Sequence, residues 1–276
     1  MEKIKNCLYI VATPIGNLNE LSPRALNILS SVSLIACEDT RETVKLLSHF
    51  NISKPLVSCH EHNENFSSDK LIRTILDGGS VAMVSDAGYP GISDPGGILI
   101  KKAIENEIDV HVISGPCAII NALIGSGLDS SHFYFHGFLN SKNKVKKQEM
   151  LELSKRKETI ILYESPHRIG DTLDQLFEVF GDRKACVARE LTKLYEEFDR
   201  NTLSNLANKY KDGAKGEIVL VIEGNNEEEV DFVDNFEMIK EVESLIASGF
   251  STKDAIKIVS TKYNVSKNDL YREFHQ

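Results

Sequence analysis

Short apolar runs alternate with longer amphipathic stretches through the first half of the chain. Residues 7–12, 33–37, 56–59, 81–85 and 110–113 read as strands that are apolar on both faces. Helical spacing of apolar positions fills the intervals, in a segment opened by Ser22-Pro23 and then in 40–50, 66–76, 98–105 and 117–124. Ser22 suits an N-cap, and Pro23 suits the first helical position, where its missing N–H leaves no bond unmade. Strands without a polar face, separated by helices, predict a parallel sheet covered on both sides. This α/β domain is expected to span residues 1–125.

The second half has a different texture. Residues 133–138 (FYFHGF), 159–163, 185–189 and 217–222 are strand-like, and helices fit 140–157, 166–180 and 203–211. A second α/β domain with a mixed sheet is expected over 126–224. The segment 227–237 holds six carboxylates and no base, as a solvated linker or a helix N-terminus would. Residues 236–276 have a helical pattern, with Ser251-Thr252 and Ser266 placed as N-caps, so 225–276 reads as an acidic linker and a small helical appendage. Residues 110–128 lack Asp, Glu, Lys and Arg over 19 positions, but Ser114-Gly115-Pro116, Asn121, Gly125 and Gly127 interrupt them. That pattern fits a buried strand, a tight turn and a buried helix better than a membrane span.

Composition narrows the partners. The net charge is −9, so any nucleic acid must be held by local basic patches rather than by bulk charge. Five cysteines at wide spacing, with no CxxC, read as free thiols in a reducing cytosol rather than as a secreted framework or a zinc site. The N-terminus shows neither the apolar length nor the small-residue cleavage site of an export signal. A cytoplasmic protein without membrane contact is the expectation.

Candidate chemistry gathers after the strands. Ser85-Asp86-Ala87-Gly88-Tyr89-Pro90-Gly91-Ile92-Ser93-Asp94-Pro95-Gly96-Gly97 follows a buried strand and precedes a helix. Ligands of open α/β sheets sit beyond the carboxyl ends of the strands, and glycine lets backbone N–H groups approach them. Asp86 and Asp94 are placed to accept hydroxyl hydrogen bonds or balance a cation; a surface turn with an aspartate helix cap is the plainer alternative. Thr13-Pro14-Ile15-Gly16-Asn17 and Ser114-Gly115-Pro116 end two further strands, yet neither matches GxGxxG or GxxxxGK[ST]. Glu38-Asp39-Thr40-Arg41 offers either a ribose-diol acceptor or a capping aspartate with a paired arginine. Cys59-His60-Glu61-His62-Asn63 suggests a metal, a general base or RNA contacts; a metal lacks clear third and fourth ligands, which favours a substrate-facing loop. Lys142, Lys144, Lys146, Lys147, Lys155, Arg156 and Lys157 face only Glu149, Glu152 and Glu158 nearby. This run is either a solvated helix face or a phosphate-contacting patch. Polar clusters at Tyr163-Glu164-Ser165-Pro166-His167-Arg168, at Ala188-Arg189-Glu190-Leu191-Thr192-Lys193 and at Lys215-Gly216-Glu217 suggest that the second domain closes over a cleft.

Taken together, residues 12–18, Glu38-Asp39-Thr40-Arg41, His60-Glu61-His62-Asn63-Glu64, Ser85-Asp86-Ala87-Gly88, Asp94-Pro95-Gly96, Gly115-Pro116, Tyr163-Glu164-Ser165, 188–192 and Lys215-Gly216-Glu217 resemble the ribosomal RNA small subunit methyltransferase I family, within the tetrapyrrole methylase superfamily. The match runs collinearly from about residue 7 to 224, and the helical tail is similar to that family's C-terminal appendage. The resemblance implies S-adenosylmethionine (SAM) as methyl donor, bound in the cleft between two α/β domains of a homodimer. It implies 2′-O-methylation of a cytidine in the decoding region of 16S rRNA, with no metal. Carried over by position, it implies a SAM site lined by Pro14, Ile15, Asp86, Ala87, Gly88, Tyr89, Pro90, Gly91, Gly115, Ala118, Ile119, Tyr163, Arg189, Glu190, Leu191, Gly216 and Glu217. Candidate bases for the ribose hydroxyl are His60, His62, Glu38 and Asp39, and candidate RNA contacts are Arg41, Lys142, Lys144, Lys146, Lys147 and Arg168. The first loop departs from the more regular glycine pattern of the tetrapyrrole relatives, which argues against a corrin substrate. A SAM methylase of another substrate and a non-catalytic RNA-binding scaffold are the rival readings.

Overall fold

The computed structural model describes residues 6–226, 235–263 and 265–275. They fall into two units, Met1–Asn225 and Asn226–Gln276.

The first unit holds two five-stranded sheets. In sheet 1, β1 (Leu8–Val11), β2 (Leu34–Cys37), β3 (Leu56–Ser58), β4 (Val81–Val84) and β5 (Val110–Ile113) are all parallel, in the order β3-β2-β4-β1-β5. β1, β2 and β4 are buried at every position, which is why they carry no polar face. α1 (Pro23–Ser31) and α2 (Thr40–His49) supply Ala25, Ile28, Leu29 and Leu47 to the core on one face. α3 (Glu64–Leu76) and α4 (Gly97–Glu105) supply Leu71, Ile72, Ile75, Leu99 and Ala103 on the other. The expected capping of α1 is present, with Ser22 Oγ accepting the Ala25 N–H at 3.1 Å and Pro23 opening the helix.

Sheet 2 is mixed. β6 (Phe133–Phe138) runs parallel to β7 (Thr159–Glu164), while β8 (Lys184–Arg189), β9 (Glu197–Thr202) and β10 (Ile218–Ile222) pair antiparallel, in the order β6-β7-β10-β8-β9. Packed against one face are α6 (Asn143–Leu153), α7 (Ile169–Phe180) and α8 (Leu203–Tyr210). α5 (Ala118–Ser126) covers the other: Ile119, Ala122 and Leu123 pack with Ile161, Cys186, Ala188, Val219 and Val221. The helix that the sequence pattern attaches to the first sheet therefore belongs to the second, and the passage between layers falls at residues 114–117.

The second unit is three helices, α9 (Asn235–Ala247), α10 (Thr252–Lys262) and α11 (Lys267–Phe274), around Met238, Val242, Ile256, Val259 and Leu270. Ser251 caps α10 by accepting the Asp254 N–H at 3.2 Å. Most of the acidic segment 227–237 lies outside the described residues. No helix among the described residues is long and apolar enough to cross a membrane.

Candidate active site

The loops after β1 and β4 are stitched together first. Thr13 and Gly88 exchange backbone hydrogen bonds of 2.9 and 3.1 Å, and the Thr13 hydroxyl donates to the Ser85 carbonyl at 3.1 Å. Gly88 holds φ +74°, a conformation glycine adopts without strain. Tyr89 reaches across so that its hydroxyl accepts the Gly115 N–H at 3.1 Å, which ties in the turn after β5. Glu64, buried at the start of α3, accepts the Gly96 and Ile98 N–H groups at 2.9 and 2.8 Å. That carboxylate satisfies the free donors at the start of α4 and fixes the far end of the 85–97 loop.

Between these loops and the ends of β7 and β10 lies a cavity of about 740 Å³. Ile15, Ala118, Ile119, Leu191 and Val219 form apolar walls, with Tyr89, Tyr163 and Phe138 adding rings. Glu38, Asp86 and Asp94 line one corner. Burial, reinforced by Glu38 and Asp86, pushes the Asp94 carboxyl up to about 6. Burial and the neighbouring aspartates also raise Glu38. Like charges drawn together out of water favour a cationic ligand or a proton. At the end of β7, Glu164 also lines the cavity and accepts a 2.6 Å hydrogen bond from the Thr172 hydroxyl and one of 2.7 Å from the Ser165 N–H.

Of the positions expected to hold SAM, Ile15, Asp86, Ala87, Gly88, Tyr89, Ala118, Ile119, Tyr163, Leu191, Gly216 and Glu217 line the cavity. Six others are placed differently. Pro14 borders a separate hollow of about 240 Å³ with Glu42 and Lys45. Pro90 and Gly91 form a turn behind the wall, where the Gly91 N–H donates to the Pro95 carbonyl at 3.0 Å. Gly115 packs against Ala12, where a Cβ would come within 2.9 Å of the alanine Cβ. Arg189 turns to Glu197 across the β8–β9 ladder at 2.5 Å, and Glu190 pairs with Lys193 at 3.0 Å. Lining residues absent from that expectation include Ile92, Asp94, Cys117, Phe138, Glu164 and Lys193. Asp94 and Glu164 stand in the loop and strand-end clusters that the sequence marks; Phe138 carries no such signal.

Among the four candidate bases, Glu38 lines the cavity. Asp39 caps α2 through the Arg41 N–H at 2.8 Å and pairs with the Arg41 guanidinium at 2.6 Å, which holds its carboxyl down at about 2. His60 and His62 stack edge-to-face with centroids 6.0 Å apart and are not among the lining residues. The His60 N–H is held by Asn63 Oδ1 at 2.8 Å, so this segment folds back on itself. No three His, Cys, Asp or Glu among the described residues are grouped to hold a metal ion.

The basic run divides. Lys142, Lys144 and Lys147 are exposed. Lys146 is a correction to the expected RNA patch: it is buried, and its Nζ donates to the Thr172 hydroxyl at 2.9 Å. Helical geometry turns it inward from its neighbours, towards the Thr172–Glu164 pair. Arg168 also faces Glu164, with Nε 3.4 Å from Oε1, and it donates to the Leu139 carbonyl. Arg41 remains exposed beside Asp39.

A family model described as Tetrapyrrole (Corrin/Porphyrin) Methylases matches residues 7–207. The chain is 46% identical to "Ribosomal RNA small subunit methyltransferase I" of Halalkalibacterium halodurans over 99% of this chain and 96% of the relative. It is 46% identical to the protein of the same name from Bacillus subtilis, over 97% of this chain and 94% of the relative. Among solved structures, uroporphyrin-III-C-methyltransferase from Thermus thermophilus superposes with a TM-score of 0.56 at 18% identity, covering 78% of this chain and 93% of that one. Diphthine synthase superposes with a TM-score of 0.59 at 15% identity, covering 78% and 89%. The two sheets and the cleft thus define a tetrapyrrole-methylase fold. The chain belongs to the tetrapyrrole methylase family, and within it to the ribosomal RNA small subunit methyltransferase I relatives.

The cavity suits SAM by its own chemistry. It is large enough for a nucleoside-sized ligand. Its apolar walls offer burial of the kind a purine and a methylene chain need, and its carboxylates offer counter-charge of the kind a sulfonium and an ammonium need.

Proposed function

We propose that this chain methylates the 2′-hydroxyl of a cytidine in the decoding region of 16S rRNA, with SAM as methyl donor in the 740 Å³ cavity. The observation that carries the reading is a SAM-sized cavity with a carboxylate corner, in a chain whose near-full-length relatives bear the name of small-subunit rRNA methyltransferases. SAM, when bound, supplies a methyl group already activated by its sulfonium. The protein's task is then alignment, exclusion of water and removal of one proton. Ile15, Ala118, Ile119, Leu191 and Val219 exclude water. Asp86 and Asp94 balance the ligand's positive charge. The Glu38 carboxylate accepts the hydroxyl proton, a role for which its raised pKa suits it. In-line alignment supplies most of the acceleration, up to roughly 7–11 kcal/mol. Lys142, Lys144, Lys147 and Arg41 hold phosphates outside the acidic corner.

The working form in this reading is a cytoplasmic homodimer. The exposed Val112 on the sheet-1 edge strand and Ile124 on α5 are apolar surface that a second copy would cover. Calorimetry with SAM, followed by methyl transfer from labelled SAM to 30S particles and mass-spectrometric mapping of ribose methyls, tests the assignment. A 2′-O-methylcytidine formed only with the enzyme is expected. Label entering a porphyrinogen and not the 30S particle would replace RNA by a tetrapyrrole as substrate.

A further inference from the structure

β6 carries an irregularity at the edge of the cavity. Its parallel pairing with β7 runs Phe135 to Ile161, then Gly137 to Leu162 and Phe138 to Tyr163, leaving His136 as an extra residue. Side chains alternate along a regular strand, so an unbroken β6 would send Phe138 to the face opposite Phe135. The bulge returns it to the same face, and both rings meet Tyr163, at centroid distances of 5.0 and 5.5 Å. Bulges next to active sites commonly re-aim a side chain in this way. Gly137 makes this one possible: it sits at φ +84°, and a Cβ there would lie 3.4 Å from Ser93 Oγ.

The ring so aimed is left in the open. Phe138 lines the cavity yet remains 55% exposed, and Ile92 in the same lining is 44% exposed. A lone exposed apolar side chain is ordinary. One held at a cavity mouth by a dedicated backbone irregularity, tilted at 53° against a second ring, has a surface to offer. Four residues further on come the exposed Lys142, Lys144 and Lys147, at the start of α6, whose first turn holds no acid. Aromatic faces beside basic side chains are the chemistry that holds single-stranded nucleic acid, whose unstacked bases rest on the rings.

We propose that Phe138 is the platform on which an unstacked base of single-stranded RNA rests at the cavity mouth, with the adjoining phosphates on Lys142, Lys144 and Lys147. This rests on RNA being the substrate. The chain has no tryptophan, so Phe138→Trp introduces a single indole reporter. Titrating that full-length variant with a short cytidine-rich RNA single strand at low salt is expected to quench its emission saturably. In filter binding, Phe138→Leu, which keeps apolar bulk but no π-face, is expected to lose roughly 5–150-fold in affinity for the same RNA. Phe138→Tyr is expected to stay within a few-fold of the unaltered chain. The platform is overturned if Phe138→Leu binds RNA as the unaltered chain does, if saturating RNA leaves the indole emission unchanged, or if a porphyrin quenches it and RNA does not. An unaltered chain that binds SAM but no RNA would sink the RNA reading itself, and the platform with it.

Discussion

At the scale of single residues, the carboxylate corner sets the character of the site, and Asp94 shows it most directly. Its carboxyl titrates at about 6 in the folded chain against an ordinary 3.8. Between those values the folded protein binds the proton more tightly than the unfolded chain does. Stability is therefore lost as pH rises through the window from about 4 to 6, and it stays lost above. Asp94→Asn removes that titration. Allowing for the water that still reaches the group, the variant should gain about 1 kcal/mol on the parent between pH 4 and pH 8. Thermal melts at the two pH values read this directly, and an equal gap at both would mean the carboxyl titrates normally. The glycine-rich loop was legible from composition, because rigid turns at strand ends are where ligands are met. Which of its members face the cavity was not legible, since the path of the turn, and not residue type, decides that Asp94 lines it while Pro90 and Gly91 do not. The same holds for Arg189, whose type suggests a ligand contact but whose partner is Glu197 on the next strand.

At the scale of elements, most of the fold could be read from periodicity. The strands of sheet 1 are buried on both faces and so announce themselves, and a serine followed by proline marks where α1 begins. β9 could not be read. Its sequence, EFDRNT, has one apolar residue, because it is an edge strand whose ladder bonds to β8 rather than side-chain burial hold it. α5 was recognised as a helix but assigned to the wrong sheet, since periodicity reports that a face is buried and not against what. The start of α4 makes the complementary point. Its own N-cap is Gly96, which has no side chain, and the cap comes instead from Glu64 on another helix. Glu64→Ala should cost about 1–2 kcal/mol in denaturant unfolding, whereas Glu64→Gln, which keeps an acceptor oxygen, should lose less. Equal losses from both variants would show that charge, and not the bonds to Gly96 and Ile98, is what matters there.

At the scale of the whole molecule, a chain of net charge −9 must approach a polyanion through a small positive region. Lys144→Ala with Lys147→Ala should lower the slope of log affinity for single-stranded RNA against log salt by about 1.4, at about 0.7 per phosphate contact. Filter binding across a salt series measures it; an unaltered slope would make these lysines a solvated face. Lys146, between them in sequence, has a different fate. It sits at the end of a run of hydrogen bonds through Thr172 to Glu164 on the cavity wall, with most of its surface out of water. Removing Glu164 alone strands Lys146 inside the protein, whereas removing Lys146 leaves Glu164 its Arg168 partner and the Ser165 N–H. Descendants of this gene can therefore shed the inward lysine first, but can surrender the glutamate only once that lysine has gone, so the order of change at two distant codons is fixed while the lysines on the outer helix face change freely.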